Sequence, residues 1–150
     1  MLGAFFSIFA PDSTYVALCV NFMSCLASAF TVLFMCWSIS LLLLKLLKRN
    51  KEVVSTTDHI AILSASFIGA TAFGFTDSFW FSAVEAEVYA MAMFMFSALF
   101  YTALLWERDM FKPRGNRWLM LICFIVGLSF GVHFMALLAI PAIGFLYFFK

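Results

Sequence analysis

Two carboxylates, Glu85 and Glu87, stand at the mouth of a long apolar run in FWFSAVEAEVYAM, residues 79–91. An ionisable group at membrane depth is costly, so acids in such a place suggest proton, cation or hydroxyl chemistry. Positions 85 and 87 are about 200° apart on a helix, so one carboxylate can face a bundle while the other faces away. On that helix Glu85 shares a face with Tyr89 at i, i+4 and with Ser82 at i, i+3. A tyrosine hydroxyl can orient a carboxylate by donating a hydrogen bond to it. Two readings stay open. In one, a glutamate enters a polar cavity opening outward, where it binds a cation, a hydroxylated substrate or a proton. In the other, both acids are solvated just outside the hydrocarbon and favoured by a helix N-terminus.

The neighbours widen the choice. Asp77, Phe79, Trp80 and Phe81 precede the acids, and the aromatics suit either an interfacial belt or a platform on which a sugar stacks. His133 is isolated in sequence, either a turn histidine or a ligand or base. Asn21 is expected to make an interhelical hydrogen bond, with Ser24 or Ser28 on neighbouring turns as candidates. Cys19, Cys25, Cys36 and Cys123 lie inside apolar runs without a CxxC pair and read as buried packing residues. GxGxxG, GxxxxGK[ST], HExxH and GxSxG are all missing. An activated donor is therefore expected to arrive through the membrane rather than in a cytosolic nucleotide pocket.

Composition says what must position these residues. Of 150 residues 65% are hydrophobic and 11% charged, whereas soluble domains carry about a quarter charged residues. Lipid is the better-matched solvent, and the fold expected is all-α, a polytopic transmembrane helix bundle forming a single domain over residues 1–150. A hydrocarbon core of about 30 Å takes roughly 20 apolar residues of helix. About five membrane spans follow, near 15–47, 59–75, 82–106, 118–132 and 134–149. The opening MLGAFFSIFA is too short to cross and reads as an interfacial or re-entrant segment ended at Pro11. The second span is rich in Ala, Ser and Gly, which suits close packing against a neighbour. Gly127 and Gly131 form a GxxxG pair open to another helix, and Pro141 is placed to kink the fifth span.

Charge then orients the bundle. With five spans alternating in direction, all nine Lys and Arg residues fall on one side, expected to be cytoplasmic by the positive-inside rule. Glu52, Asp58, Glu107 and Asp109 share that side. Asp12, Asp77, Glu85, Glu87 and His133 fall on the other, which is acidic and aromatic. The bases form short loop clusters rather than a long stripe, so no nucleic acid is expected as a partner.

FTDSFWFSAVEAEVYAM, the run from RWLMLICFIVGLSFGVHFM to the end, and VALCVNFMSCLASAFTVLF together resemble a family of bacterial multi-pass proteins described as protein O-mannosyltransferase-like, often labelled a domain of unknown function. The resemblance covers nearly the whole chain and is most specific in WFSAVEAEVYAM. It implies the GT-C class of glycosyltransferase, which takes sugar from a polyprenyl-phosphate carrier on the non-cytoplasmic face. It also implies an inner (plasma) membrane location, membrane lipids around the chain, the lipid-phosphate sugar donor as substrate and an exported protein as acceptor. By the same resemblance Glu85 and Glu87 are the catalytic candidates, and Asp77, Trp80, Tyr89 and His133 the substrate-binding ones. A divalent metal ion is one means by which such acids could hold the donor phosphate.

The family pattern has a further helix and an acid-bearing loop before the segment matching residues 1–30. The chain is thus expected to be an N-terminally truncated part of a larger module, or else a natural short member, and the catalytic first-loop acid is not evident in this chain. Two other classes remain alongside the enzyme: a proton- or cation-coupled transport module, and a non-catalytic membrane assembly segment.

Overall fold

No glycine or proline interrupts the chain from Val16 to Asn50, and the result is one helix of 35 residues, α2 (Val16–Asn50). At about 1.5 Å per residue it is roughly 52 Å long, well beyond a hydrocarbon core of about 30 Å. A short 3-10 helix, Ser13–Tyr15, leads into it, with the Asp12 carboxylate accepting a hydrogen bond from the Ser13 N–H at 2.7 Å. The computed structural model describes residues 2–51, 53–85 and 88–149. Before α2, the six-residue α1 (Leu2–Ser7) lies against its first turns, Gly3 beside Val20. It is far too short to cross a bilayer.

α3 (Thr56–Gly74) opens three residues earlier than expected, on a capping box. The Ser55 hydroxyl accepts from the Asp58 N–H at 3.2 Å, and the Ser55 N–H donates to the Asp58 carboxylate at 3.0 Å. α3 then runs back along α2: Lys51 pairs with Asp58 at one end, and Gly74 meets Val32 near the other. A Cβ on Gly74 would lie 3.2 Å from the Val32 side chain, and Ser66 and Ala70 are fully buried. Small residues thus let the two helices touch, as their composition suggests.

The helix expected over 82–106 is in fact two. α4 (Asp77–Val84) leaves α3 at a bend of 70° and ends where Glu85 turns extended, at φ −99° and ψ 145°. α5 (Val88–Asp109) starts afresh beyond it. A continuous helix would carry Glu85 onto the stripe of α5 that buries Ala92, Leu99 and Ala103. The break keeps its carboxylate exposed. Consequently the shared face of Ser82, Glu85 and Tyr89, which assumed one helix, does not exist.

α5 is the centre of the molecule. Phe30 meets Phe94, Phe34 meets Phe94 and Tyr101, Trp37 meets Tyr101, and Lys45 pairs with Glu107. Positions rise together on both helices, so α2 and α5 are parallel. On its other side Leu99, Ala103 and Trp106 form a core with Ile122 of α6 (Asn116–Ser129) and Ala139 of α7 (Ala139–Phe148). Trp106 also stacks on Tyr147, centroids 5.9 Å apart.

The turn from α5 to α6 is built on Asp109, which accepts from Arg108, from Lys112 at 2.8 Å and from the Trp118 indole at 3.1 Å. α6 and α7 have 14 and 10 residues, roughly 21 and 15 Å. The expected fourth and fifth spans are therefore shorter apolar helices, because the turn at 130–133 and a 3-10 helix, Phe134–Leu138, take up the intervening residues. Two helical segments, Ser13–Asn50 and Val88–Asp109, are long and apolar enough to cross a membrane; the bent pair α3–α4 makes a third if it counts as one span.

Other expectations are also corrected. Pro141 lies in the first turn of α7, where a missing N–H costs nothing, and marks no kink. The Ser24 and Ser28 hydroxyls are buried without a hydrogen-bond partner among the described residues, so neither bonds Asn21. Cys25 and Cys123 are exposed rather than buried, and the four thiols are unpaired with one another. Nothing among the described residues lies within 4 Å of a Cβ placed on Gly127, so no described helix uses that site.

Candidate functional site

The helix directions sort the charges to two ends. Lys45, Lys48 and Arg49 lie in the last turns of α2, and Arg108 in the last turn of the parallel α5. Asp12, Asp77, Glu85, Tyr89 and His133 belong to the other end, at the starts of α2 and α5 and on α4. No lysine or arginine among the described residues lies with them.

At this acidic end α4 is held by three contacts. Phe79 is buried and packs on Phe73, centroids 4.7 Å apart. The Cys25 thiol donates to the Ala83 carbonyl at 3.1 Å, fastening α4 across α2. Trp80, half exposed, stacks nearly parallel on Phe75 across the α3–α4 bend, 5.9 Å between centroids and 14° between planes. A groove of about 510 Å³ follows, lined by Cys25, Ser28, Val32, Phe75, Phe79 and Trp80 among others.

Asp77 sits in the first turn of α4, where the helix dipole favours a carboxylate, and is exposed. Glu85 follows the last turn of the same helix. Eight residues of helix place their backbones about 12 Å apart, so these two acids do not form a carboxylate pair. Among the described residues no three His, Cys, Asp or Glu side chains come together as a metal cage. Glu87, the other catalytic candidate, lies outside the described residues.

Tyr89 and His133 do come together, although 44 positions separate them in sequence. Their rings are 5.7 Å apart and tilted by 50°. Nδ1 of His133 accepts a hydrogen bond from the Met135 N–H at 3.2 Å. An accepting Nδ1 leaves the proton of the neutral ring on Nε2, which makes His133 a donor at that atom. The site offers a phenol on α5, an imidazole N–H in the turn after α6, an aromatic shelf on α4, and carboxylates at both ends of α4.

A family model described as the protein O-mannosyl-transferase TMEM260 N-terminal domain matches residues 1–150. The chain belongs to this family. No curated protein and no solved structure matches the chain. The O-mannosyltransferase-like part of the resemblance is thus borne out over the whole chain, and with it a glycosyltransferase-like membrane protein. Of the contacts at the site, Trp80 with Phe75 spans only five positions and a Thr-Asp break hints at the bend. The Tyr89–His133 and Cys25–Ala83 contacts carry no local sequence signal.

Proposed function

We propose that this chain is the membrane-embedded part of a GT-C-type O-mannosyltransferase-like enzyme, working at the non-cytoplasmic face on a polyprenyl-phosphate-linked sugar. Family membership carries the reading, and the separation of Asp12, Asp77, Glu85 and Trp80 from all described lysines and arginines supports the choice of end. By the positive-inside rule the basic end faces the cytoplasm and the acidic end the opposite compartment.

In such a transfer the acceptor hydroxyl oxygen forms a bond to the anomeric carbon, and the bond from that carbon to the carrier phosphate oxygen breaks. The hydroxyl proton goes to a carboxylate, for which Glu85 and Glu87 are the candidates, and the polyprenyl phosphate leaves. A base must come within about 2.6–3.2 Å of the proton it takes. Exposed Glu85, whose own backbone turns extended just after α4, can meet an acceptor arriving from water. The Nε2–H of His133 suits a phosphate or sugar oxygen, with Tyr89 as its packing partner, and Trp80 offers a flat face to a sugar ring. Asp77, at the far end of α4, suits hydroxyl groups of donor or acceptor.

The test is mannosyl transfer to an exported acceptor by the full-length protein. Glu85→Gln and Glu87→Gln keep shape and remove the charge, and loss of a general base costs about 10²-fold or more. His133→Ala should weaken transfer with a smaller effect on folding. Unchanged transfer in both glutamine variants would refute the assignment.

A further inference from the structure

At the basic end, α2 and α5 leave a groove of about 300 Å³ that the transfer chemistry does not use. Its lining combines the leucines Leu41, Leu44 and Leu104 with the cations Lys45, Lys48 and Arg108 and with Glu107. Each described acid there is already engaged. Glu107 pairs with Lys45, and Asp109 takes Nε and Nη2 of Arg108 together with Lys112. Lys48 forms no ion pair among the described residues, and Nη1 of Arg108 lies outside the pair with Asp109. Around the groove this end holds eight described lysines and arginines against three described acids, Asp58, Glu107 and Asp109.

We infer that this groove is a binding site for an anionic phospholipid, its phosphodiester against Lys48 and Arg108 and the start of an acyl chain along the leucines. Charge complementarity selects the headgroup, since a basic pocket between helices at the membrane surface attracts anionic lipid. The leucines select a lipid over a soluble anion, because free phosphate gains nothing from an apolar wall. Glu107, paired with Lys45, fixes the spacing of α2 and α5 and so the width of the groove. The site would tie the parallel helix pair to one leaflet, away from the end where sugar transfer is proposed, and it stands whether or not that proposal does.

The experiment uses the full-chain protein, delipidated in neutral detergent and titrated with phosphatidylglycerol or phosphatidylcholine, with bound lipid counted by native mass spectrometry. Wild type should retain phosphatidylglycerol at least about tenfold better, each cation beside an anionic lipid being worth about fivefold. Lys48→Gln should lose about fivefold of that preference, and Lys48→Arg should keep it. Arg117→Gln, at the same end but not lining the groove, should change little. Equal retention of both lipids by wild type would overturn the site. So would an equal loss in the Arg117 and Lys48 variants, which would mean general surface charge, or displacement of the lipid by equimolar inorganic phosphate or polyprenyl phosphate.

Discussion

Gly115→Ala lowers the unfolding free energy by about 3 kcal/mol, the upper end of the usual overpacking range. A Cβ built there meets the Asp109 carbonyl oxygen at 2.5 Å and the Cα and oxygen of Met110 at 3.0 Å. These are backbone atoms that cannot rotate away, so the α5–α6 turn itself must move. Alanine would restrict the unfolded chain and return about 0.4–1 kcal/mol, too little to reverse the sign. The backbone angles of Gly115, φ −54° and ψ −34°, suit any residue; the demand is for space alone. That turn also holds Arg114 at φ 70°, so its shape is tightly set. Gly127→Ala is the matched control. Nothing lies within 4 Å of its Cβ, and alanine inside α6 should stabilise by about 0.5–1 kcal/mol. Reversible unfolding in mixed micelles, followed by circular dichroism, reads both. Equal effects at the two glycines would contradict the geometry.

Leu99→Ala is expected to cost about 2 kcal/mol, toward the low end of core leucine truncations. Leu99 is 0% exposed and sits among Ala103, Trp106, Ile122 and Ala139, where α5, α6 and α7 meet. In lipid the unfolded reference is also apolar, so the transfer part of the loss shrinks and the cavity part remains. The small partners Ala103 and Ala139 have no side chains long enough to fill the hole. Phe67→Ala, at an exposed position on α3, should change stability far less in the same assay. A Leu99 variant as stable as wild type would mean that α6 and α7 do not pack on α5 as described.

Much of this architecture could be read from residue types. The unbroken run after Tyr15 announced α2, the Ala, Ser and Gly of α3 announced its close approach, and the basic clusters announced a bundle with its bases at one end. The capping box was also legible, since Ser55 and Asp58 have the S-x-x-D spacing, which places the start of α3 at Thr56 rather than at His59. The break after Val84 was not legible from apolar periodicity. It depends on which face of α5 is buried, and that is decided by α2, α6 and α7 together. The same holds for α6 and α7, whose hydrophobicity over 118–149 looks like two full spans. Only the fold shows that residues 130–138 are spent on a turn and a 3-10 helix. Of the candidate site, the residue types were readable, while the pairing of Tyr89 with His133 and the separation of Asp77 from Glu85 came from packing between distant segments.

Everything proposed for sugar transfer depends on the two charged ends facing different aqueous compartments. Single cysteines replacing Ser78 on α4 and Arg49 on α2, in full-length protein freed of its natural cysteines, can be probed in sealed, oriented vesicles with an impermeant maleimide. The account predicts that position 78 labels only from the non-cytoplasmic side and position 49 only after the cytoplasmic side is opened to reagent. Labelling of both from one side would contradict it.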